Sequence, residues 1–237
     1  MLRRHRDYHS EQLPGGRQAH QAIADADGGD LRVVALQTLD RGPRSAAVAY
    51  DQLLKSFRPP IVLLVGIASG IRPDLAIGDV VISDEVIYYD ARRETRDGPR
   101  RRGQTQPMAP VLRHRLNEFF RMNGTSIAAP SGEIRLYRGP IGSGDAVIMD
   151  PLSDIVGFLR RFNEKTLAVE TEASGVGQAF YEEIDTEGSL RGWLTIRGIS
   201  DLANQDKGHD RHRFAADHAA LVMDRLLPLL RLTQASR

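Results

Sequence analysis

The chain contains no cysteine in its 237 residues. That absence excludes disulfides, thiolate metal sites and cysteine nucleophiles together, and it fits a reducing, cytoplasmic interior. Nor is there an apolar run near the roughly 20 residues needed to cross a bilayer, so no membrane partner is expected. Residues 1–7 lack the apolar core of a secretion signal. Lysine is scarce, with Lys55, Lys165 and Lys207 the only three, so the positive charge is almost all arginine. Arginine favours bidentate contacts with carboxylate or phosphate. The formal net charge of +1 does not by itself imply a nucleic-acid partner. What remains is ordinary for a globular protein, with 41% hydrophobic and 27% charged residues. The length suits one α/β domain with a sizeable core.

Residues 1–30 are polar and rich in glycine, histidine and aspartate. They show no period and read as a loosely structured N-terminal arm with room for one short strand, ahead of a single domain over 31–237. Residues 31–38 predict a strand. After Gly42 and Pro43, the spacing of Ala46, Tyr50, Leu53, Leu54 and Phe57 predicts a helix that Pro59 and Pro60 end. Residues 61–65 are uninterrupted apolar, the pattern of a strand buried on both faces of a parallel sheet. Strand, helix and strand in this order make a crossover unit. Further strands are expected over 79–89, 134–142, 166–169 and 192–200. Further helices are expected over 110–122, 151–162, after Glu172 to about 183, and 212–232. Ala215, Ala219, Val222, Leu226 and Leu229 would form the buried face of the last helix, and Pro228 should kink it or end its regular part. The alternation points to a three-layer α/β sandwich.

The chemistry gathers where apolar strands stop on small residues and acids. Residues 194–201, Leu-Thr-Ile-Arg-Gly-Ile-Ser-Asp, are the sharpest case. Functional groups in α/β proteins collect at the carboxyl ends of strands, which makes Asp201 a candidate site residue. The alternative is that Ser200 and Asp201 only cap the following loop. Residues 66–70, Gly-Ile-Ala-Ser-Gly, form a small-residue turn that lets backbone amides approach a ligand. Ser143-Gly144-Asp145-Ala146 and Val169-Glu170-Thr171-Glu172-Ala173 repeat the design.

Four segments together resemble the nucleoside phosphorylase and nucleosidase superfamily, specifically its methylthioadenosine/S-adenosylhomocysteine nucleosidase-like branch. They are Val65-Gly66-Ile67-Ala68-Ser69-Gly70 with Ile77-Gly78-Asp79-Val80-Val81, then Ser143-Gly144-Asp145-Ala146, Val169-Glu170-Thr171-Glu172-Ala173 and Arg197-Gly198-Ile199-Ser200-Asp201. No single segment is diagnostic; their order and spacing from about Leu31 onward carry the resemblance. It implies a three-layer αβα sandwich with a central mixed, mostly parallel twisted sheet. It also implies an enzyme that cleaves the N-glycosidic bond of an adenine-type nucleoside or nucleotide, with no cofactor and no metal, as a homodimer or higher homo-oligomer.

Breaking a ribosyl–purine bond needs a proton donor for the departing base, support for an oxocarbenium-like ribose, and a nucleophile. The resemblance assigns the first role to Asp201, with Ser200 beside it, and ribose binding to Glu172, with Glu170 and Thr171 in the same segment. Val147 and Ile148 would line the base, and Ala68, Ser69 and Gly70 would lie beside the nucleophile. Relatives commonly carry phenylalanine at the position of Val147 and methionine at that of Thr171, so base stacking should be weaker here. Glu172 read without the family is a salt-bridged glutamate at a helix start. Family members open with a strand, a turn and a glutamate that activates water; nothing ahead of Leu31 matches, and Glu11 has a different setting. The phosphorylase signature Gly-Asp-Pro-x-Arg is also missing, which favours water over phosphate. A nucleotide-sensing module without catalysis and a purine nucleoside phosphorylase are the alternatives.

Arg92, Arg93, Arg96, Arg100, Arg101 and Arg102 cluster in one segment. Most such runs are solvated loops. The alternatives are contact with substrate phosphates and, less favoured for want of interleaved aromatics, nucleic-acid binding. His209 and His212 read as residues of a polar loop rather than metal ligands.

Overall fold

Every position of the strand Gly192–Asp201 is buried, the mark of a strand covered on both faces. The computed structural model describes residues 2–183, 191–204 and 209–231. Its first half contains β1 (Arg6–Gln12), β2 (Gln18–Ala26), β3 (Gly29–Leu36), α1 (Pro43–Phe57), β4 (Ile61–Gly70), β5 (Val80–Tyr88), β6 (Arg92–Thr95), β7 (Gly98–Arg101) and β8 (Gln104–Pro107). Then come α2 (Pro110–Asn123), β9 (Ser126–Ala129), β10 (Gly132–Ser143), α3 (Asp154–Phe162), β11 (Ala168–Glu170), α4 (Ala173–Glu183), β12 (Gly192–Asp201) and α5 (His209–Leu226).

Local chemistry sets the helix ends. α1 carries Pro43 in its first turn, where a missing N–H costs nothing, and stops at Arg58, which adopts left-handed backbone with φ 46°. Ser153 caps α3 by accepting a hydrogen bond from the Val156 N–H. Pro228 ends the regular helix: α5 stops at Leu226 and the chain continues as the 3-10 turn Leu227–Leu230. The expected helical run to 232 passes beyond the described residues.

β4, β5 and β8 to β12 form one mixed sheet in the order β8-β5-β12-β4-β11-β10-β9. β4 pairs parallel with β12, and β10 pairs parallel with both β5 and β11. Antiparallel ladders join β12 to β5, β11 to β4, β5 to β8 and β10 to β9. The parallel ladders form two groups of opposite direction joined by antiparallel ladders, which makes the sheet mixed. Because β5 pairs with both β12 and β10, the strands close into a ring.

Helices cover both faces. Leu194 and Ile196 pack with α2 through Leu112, Leu116 and Phe119, and with α5 through Ala219, Val222 and Leu226. Trp193 and Ile199 turn the other way, toward Ala46 and Tyr50 of α1 and Val176 and Phe180 of α4. The period of two along β12 thus builds both cores. α5 lies so close to β12 that a Cβ on Gly198 would overlap the Ala215 carbonyl oxygen.

Three expectations are corrected. Residues 6–26 are not a loose arm: β1 and β2 pair antiparallel, and β2 pairs with β3, making a separate three-stranded sheet. Gln21 is buried there and hydrogen-bonds to both Glu11 and Arg32. Polar cross-strand pairing sustains strands that carry no apolar run. The arginine-rich segment is likewise not a simple loop. It folds as the β6–β7 hairpin, with Arg92 opposite Arg101, followed by β8 on the edge of β5. His209 and His212, read also as residues of a polar loop, both lie in the first turn of α5, which starts three residues before the expected helix.

Candidate active site

Carboxyl ends of oppositely directed strands converge at one point. β11 meets β4 only at Ser69 and Gly70, and Ser69 stands opposite both Val169 of β11 and Asp201 of β12. One cavity of about 1000 Å³ opens there, the upper end of the size that holds a small molecule. Asp201, Ser200, Glu170, Thr171, Glu172, Val147, Ile148, Ala68 and Ser69 all line it. Gly70 does not. It sits in the β4–β11 ladder, where a Cβ would meet Leu75, Ile199 and Leu202.

Asp201 is 2% exposed at the end of β12. Its Oδ2 accepts a hydrogen bond from Ser200 Oγ at 3.0 Å, and its Oδ1 accepts one from the Ala203 N–H at 3.0 Å. Both oxygens are held, so the carboxyl plane is fixed before any ligand arrives. Ser200 Oγ also lies 3.4 Å from the Ala68 carbonyl, tying β12 to the turn of β4.

The two glutamates of the β11 end do different work. Glu170 is buried, and its carboxylate accepts hydrogen bonds from the Glu172 N–H at 3.0 Å and the Ala173 N–H at 3.0 Å. It satisfies amides at the head of α4, where a negative charge also suits the helix dipole. Glu172 is less buried and faces the cavity, with Thr171 Oγ1 donating to its Oε1 at 2.7 Å. Arg197 joins the pair: its Nη2 donates to Glu170 Oε2 and, at 3.1 Å, to Glu172 Oε2. The Arg197 side chain is only 4% exposed. A Cβ on Gly66 would overlap Arg197 Nη1, so the glycine in the strand below makes room for the guanidinium. Arg197 opens the last of the four motif segments. Its signal was an arginine inside an otherwise apolar strand, which demands a buried anion.

The loop that carries Val147 and Ile148 is pinned from beneath. Ser143 Oγ accepts from the Ser174 N–H at 2.9 Å, Asp90 Oδ2 accepts from the Asp145 N–H at 2.6 Å, and Tyr89 donates to the Ala146 carbonyl at 2.8 Å. Burial of Tyr89, with Asp90 and Glu170 nearby, pushes its hydroxyl well above the usual tyrosine range. Arg101 of the hairpin reaches the same support, donating to the Tyr89 carbonyl at 3.0 Å and lying 3.6 Å from Asp90 and 3.3 Å from Asp154. Val147 itself is 53% exposed at the cleft. The arrangement presents a fixed carboxyl group, a second carboxylate braced by arginine, and a rigid apolar loop in one cleft.

The chain belongs to the phosphorylase superfamily, whose sequence profile matches residues 9–232. It is 31% identical over 189 residues to a 5'-methylthioadenosine/S-adenosylhomocysteine nucleosidase of Bacillus licheniformis, covering 78% of this chain and 77% of that protein. It is 27% identical over 228 residues to the ATP nucleosidase Cap17 of Escherichia coli, covering 85% of this chain but 42% of that protein. Among solved structures, the S-adenosylhomocysteine nucleosidase of Streptococcus pyogenes superposes with a TM-score of 0.74 at 19% identity, over 98% of this chain and 91% of that one. The futalosine hydrolase of Helicobacter pylori gives 0.71 at 18% identity, over 93% and 87%. At those identities the structural matches speak for the fold.

Proposed function

We propose that this protein is a nucleosidase that hydrolyses the N-glycosidic bond of an adenine-type purine nucleoside or nucleotide. The observation that carries the reading is the placing of Asp201 and Glu172, from different strands, on one cleft beside the loop of Val147 and Ile148. The base lies against that loop. As the C1′–N9 bond breaks, its electron pair goes to the purine and the Asp201 carboxyl group donates a proton to the imidazole ring. Glu172 accepts hydrogen bonds from the ribose hydroxyls and offsets the positive charge that develops on the sugar. Water adds to C1′ and releases a proton to solvent, and Asp201 takes a proton back from solvent, so hydroxyl ends on the ribose and hydrogen on the base. Ser200 orients the acid, and Arg197 holds Glu172 in place.

Water rather than phosphate is supported by the names of the relatives, which are nucleosidases and a hydrolase. A substrate with a 5′-phosphate chain is supported by the ATP nucleosidase relative and the neighbouring arginine hairpin. No helix among the described residues is long and apolar enough to cross a membrane. A cytoplasmic setting is supported by the cysteine-free sequence. A homo-oligomer is supported by exposed apolar side chains, Leu39, Val48, Val147, Met149 and Leu152. Light scattering tests it.

The activity is tested by base release from methylthioadenosine, S-adenosylhomocysteine, adenosine, AMP and ATP, with and without inorganic phosphate. Free adenine and free ribose product are expected. Asp201→Asn should lower kcat by about 10²- to 10⁴-fold, the range for loss of a general acid, with an unchanged circular dichroism spectrum. No base release from any substrate, or full turnover by the variant, would sink the proposal; ribose 1-phosphate in the presence of phosphate would reassign the reaction to a phosphorylase.

A further inference from the structure

Within the arginine cluster of residues 92–102, Arg101 turns inward. Its side chain is 12% exposed, against 51% for Arg92 and 72% for Arg100. The β6–β7 hairpin that carries it is a two-stranded sheet of its own and, among the described residues, shares no ladder with the main sheet. Solvation accounts for the arginines that face outward. Burying most of a guanidinium, by contrast, is unfavourable unless its donors are matched. Here they are matched at the end of β5 and at the head of α3. Nη1 donates to the Tyr89 carbonyl at 3.0 Å and lies 3.6 Å from Asp90 Oδ1, while Nη2 meets Asp154 Oδ2 at 3.3 Å.

Tyr89 and Asp90 also hold the loop of Val147 and Ile148. Asp90 Oδ2 accepts from the Asp145 N–H at 2.6 Å, and the Tyr89 hydroxyl donates to the Ala146 carbonyl at 2.8 Å. Gly144 lies so close to both that a Cβ there would overlap the Asp90 carboxylate and the Tyr89 ring. From Gly144 to Asp150 the chain forms neither helix nor strand, so side-chain bonds do the holding that a ladder does elsewhere. Ile148 packs in one apolar cluster with Tyr89 and with Ile155, Val156 and Leu159 of α3. Asp90, Asp145 and Glu170 all act on the Tyr89 hydroxyl, and Arg101 is the cation that opposes them. Taking that cation away leaves Asp90 beside Asp145 without its countercharge, and like charges push apart.

We propose that Arg101 is a positioning residue for the base: through Tyr89 and Asp90 it fixes the backbone of the loop against which the purine lies. This rests on the nucleosidase reading above. Arg101, Tyr89 and Asp90 are all absent from the cavity lining, so each acts from behind the loop and none touches the base. Arg197 braces the carboxylate on the sugar side, and Arg101 does the corresponding work on the base side. Such placement matters, since a 1 Å misplacement of a bound group can cost roughly 100-fold in rate. The competing role for the same arginine is direct contact with a substrate phosphate.

The probe is free adenine, which carries no phosphate and whose binding to the full chain is read by calorimetry without turnover. Arg101→Met is expected to weaken adenine binding by about tenfold or more, as loss of a hydrogen bond to a charged group does. In the base-release assay KM should rise by a similar factor for uncharged and phosphorylated nucleosides alike, while kcat stays within about threefold of native. Arg101→Lys keeps the charge without the fork and should fall between the two; it serves the same comparison where methionine perturbs folding. Asp90→Asn keeps an oxygen for the Asp145 N–H and removes the acid that Arg101 neutralises. Combined with Arg101→Met, it should therefore lose less than the product of the two single losses. Losses that simply multiply overturn the proposal. So does native adenine affinity in Arg101→Met with weakened binding of AMP or ATP, which assigns the arginine to phosphate. Native turnover and native adenine affinity in that variant strike this inference alone, whereas no adenine binding by the unaltered protein strikes the nucleosidase reading with it.

Discussion

Arg197→Met is the perturbation that most directly tests how the site is held. In the native protein the Arg197 side chain is 4% exposed and the Glu170 side chain 1%, while Glu172 is 18% exposed. Methionine fills much of the same volume but leaves Glu170 as a buried anion without its countercharge. Breaking a buried ion pair from one side costs about 3–5 kcal/mol, a large part of the roughly 5–15 kcal/mol that a domain of this kind has in total. Urea unfolding at pH 8 should show that loss. Adding Glu170→Gln to Arg197→Met removes the orphan charge while keeping an oxygen for the Ala173 N–H, so the double variant should be more stable than the single one. In the assay for base release, Arg197→Met should raise KM as Glu172 loses its brace. A loss below about 1 kcal/mol, typical of exposed pairs, would refute the reasoning, as would a double variant no better than the single one.

Two further outcomes follow from the same geometry. Tyr89 holds its proton more tightly when folded, so its stabilising effect is complete below the unfolded tyrosine value of about 10 and is lost as pH rises through and above it. Tyr89→Phe should cost about 1 kcal/mol near neutrality for the lost bond to Ala146, and Tm should fall less steeply between pH 9 and 11; an equally steep fall would assign the effect elsewhere. Gly66→Ala places a methyl group on Arg197 Nη1. It should destabilise by about 1–3 kcal/mol, as overpacking does, and raise KM in parallel with Arg197→Met; native-like values for both would show that the guanidinium moves aside freely.

Much of this site was legible because its chemistry sits at strand ends. The uninterrupted apolar run at 61–65 and the largely apolar stretch at 192–200 have one physical explanation, burial on both faces, and the structure places them side by side as β4 and β12. Their terminal small residues and acids then fall together. The N-terminal strands were hidden for the opposite reason. β1, Arg6–Gln12, has no buried position, and its residues are polar at nearly every step. It is a strand by pairing with β2, and pairing between segments leaves no period in either one. The β6–β7 hairpin is similar, since Arg92 opposite Arg101 is a register that charge alone would argue against.

The division of labour between Glu170 and Glu172 is the step that the structure adds to the motif. Two acids two residues apart at the mouth of a helix repel each other, and a single arginine from a different strand meets both. Glu170 takes the buried position because the α4 amides and Arg197 together satisfy it, and that leaves Glu172 as the carboxylate that opens on the cavity. A substitution at Glu170 therefore acts on Glu172 through Arg197 and the start of α4. The glycine at 66 belongs to the same device, since only a residue without a side chain lets the guanidinium lie across β4. The placing of Glu172 on the cavity thus depends on β4, β11 and β12 keeping their mutual register, and the ladders that meet at Ser69 fix that register.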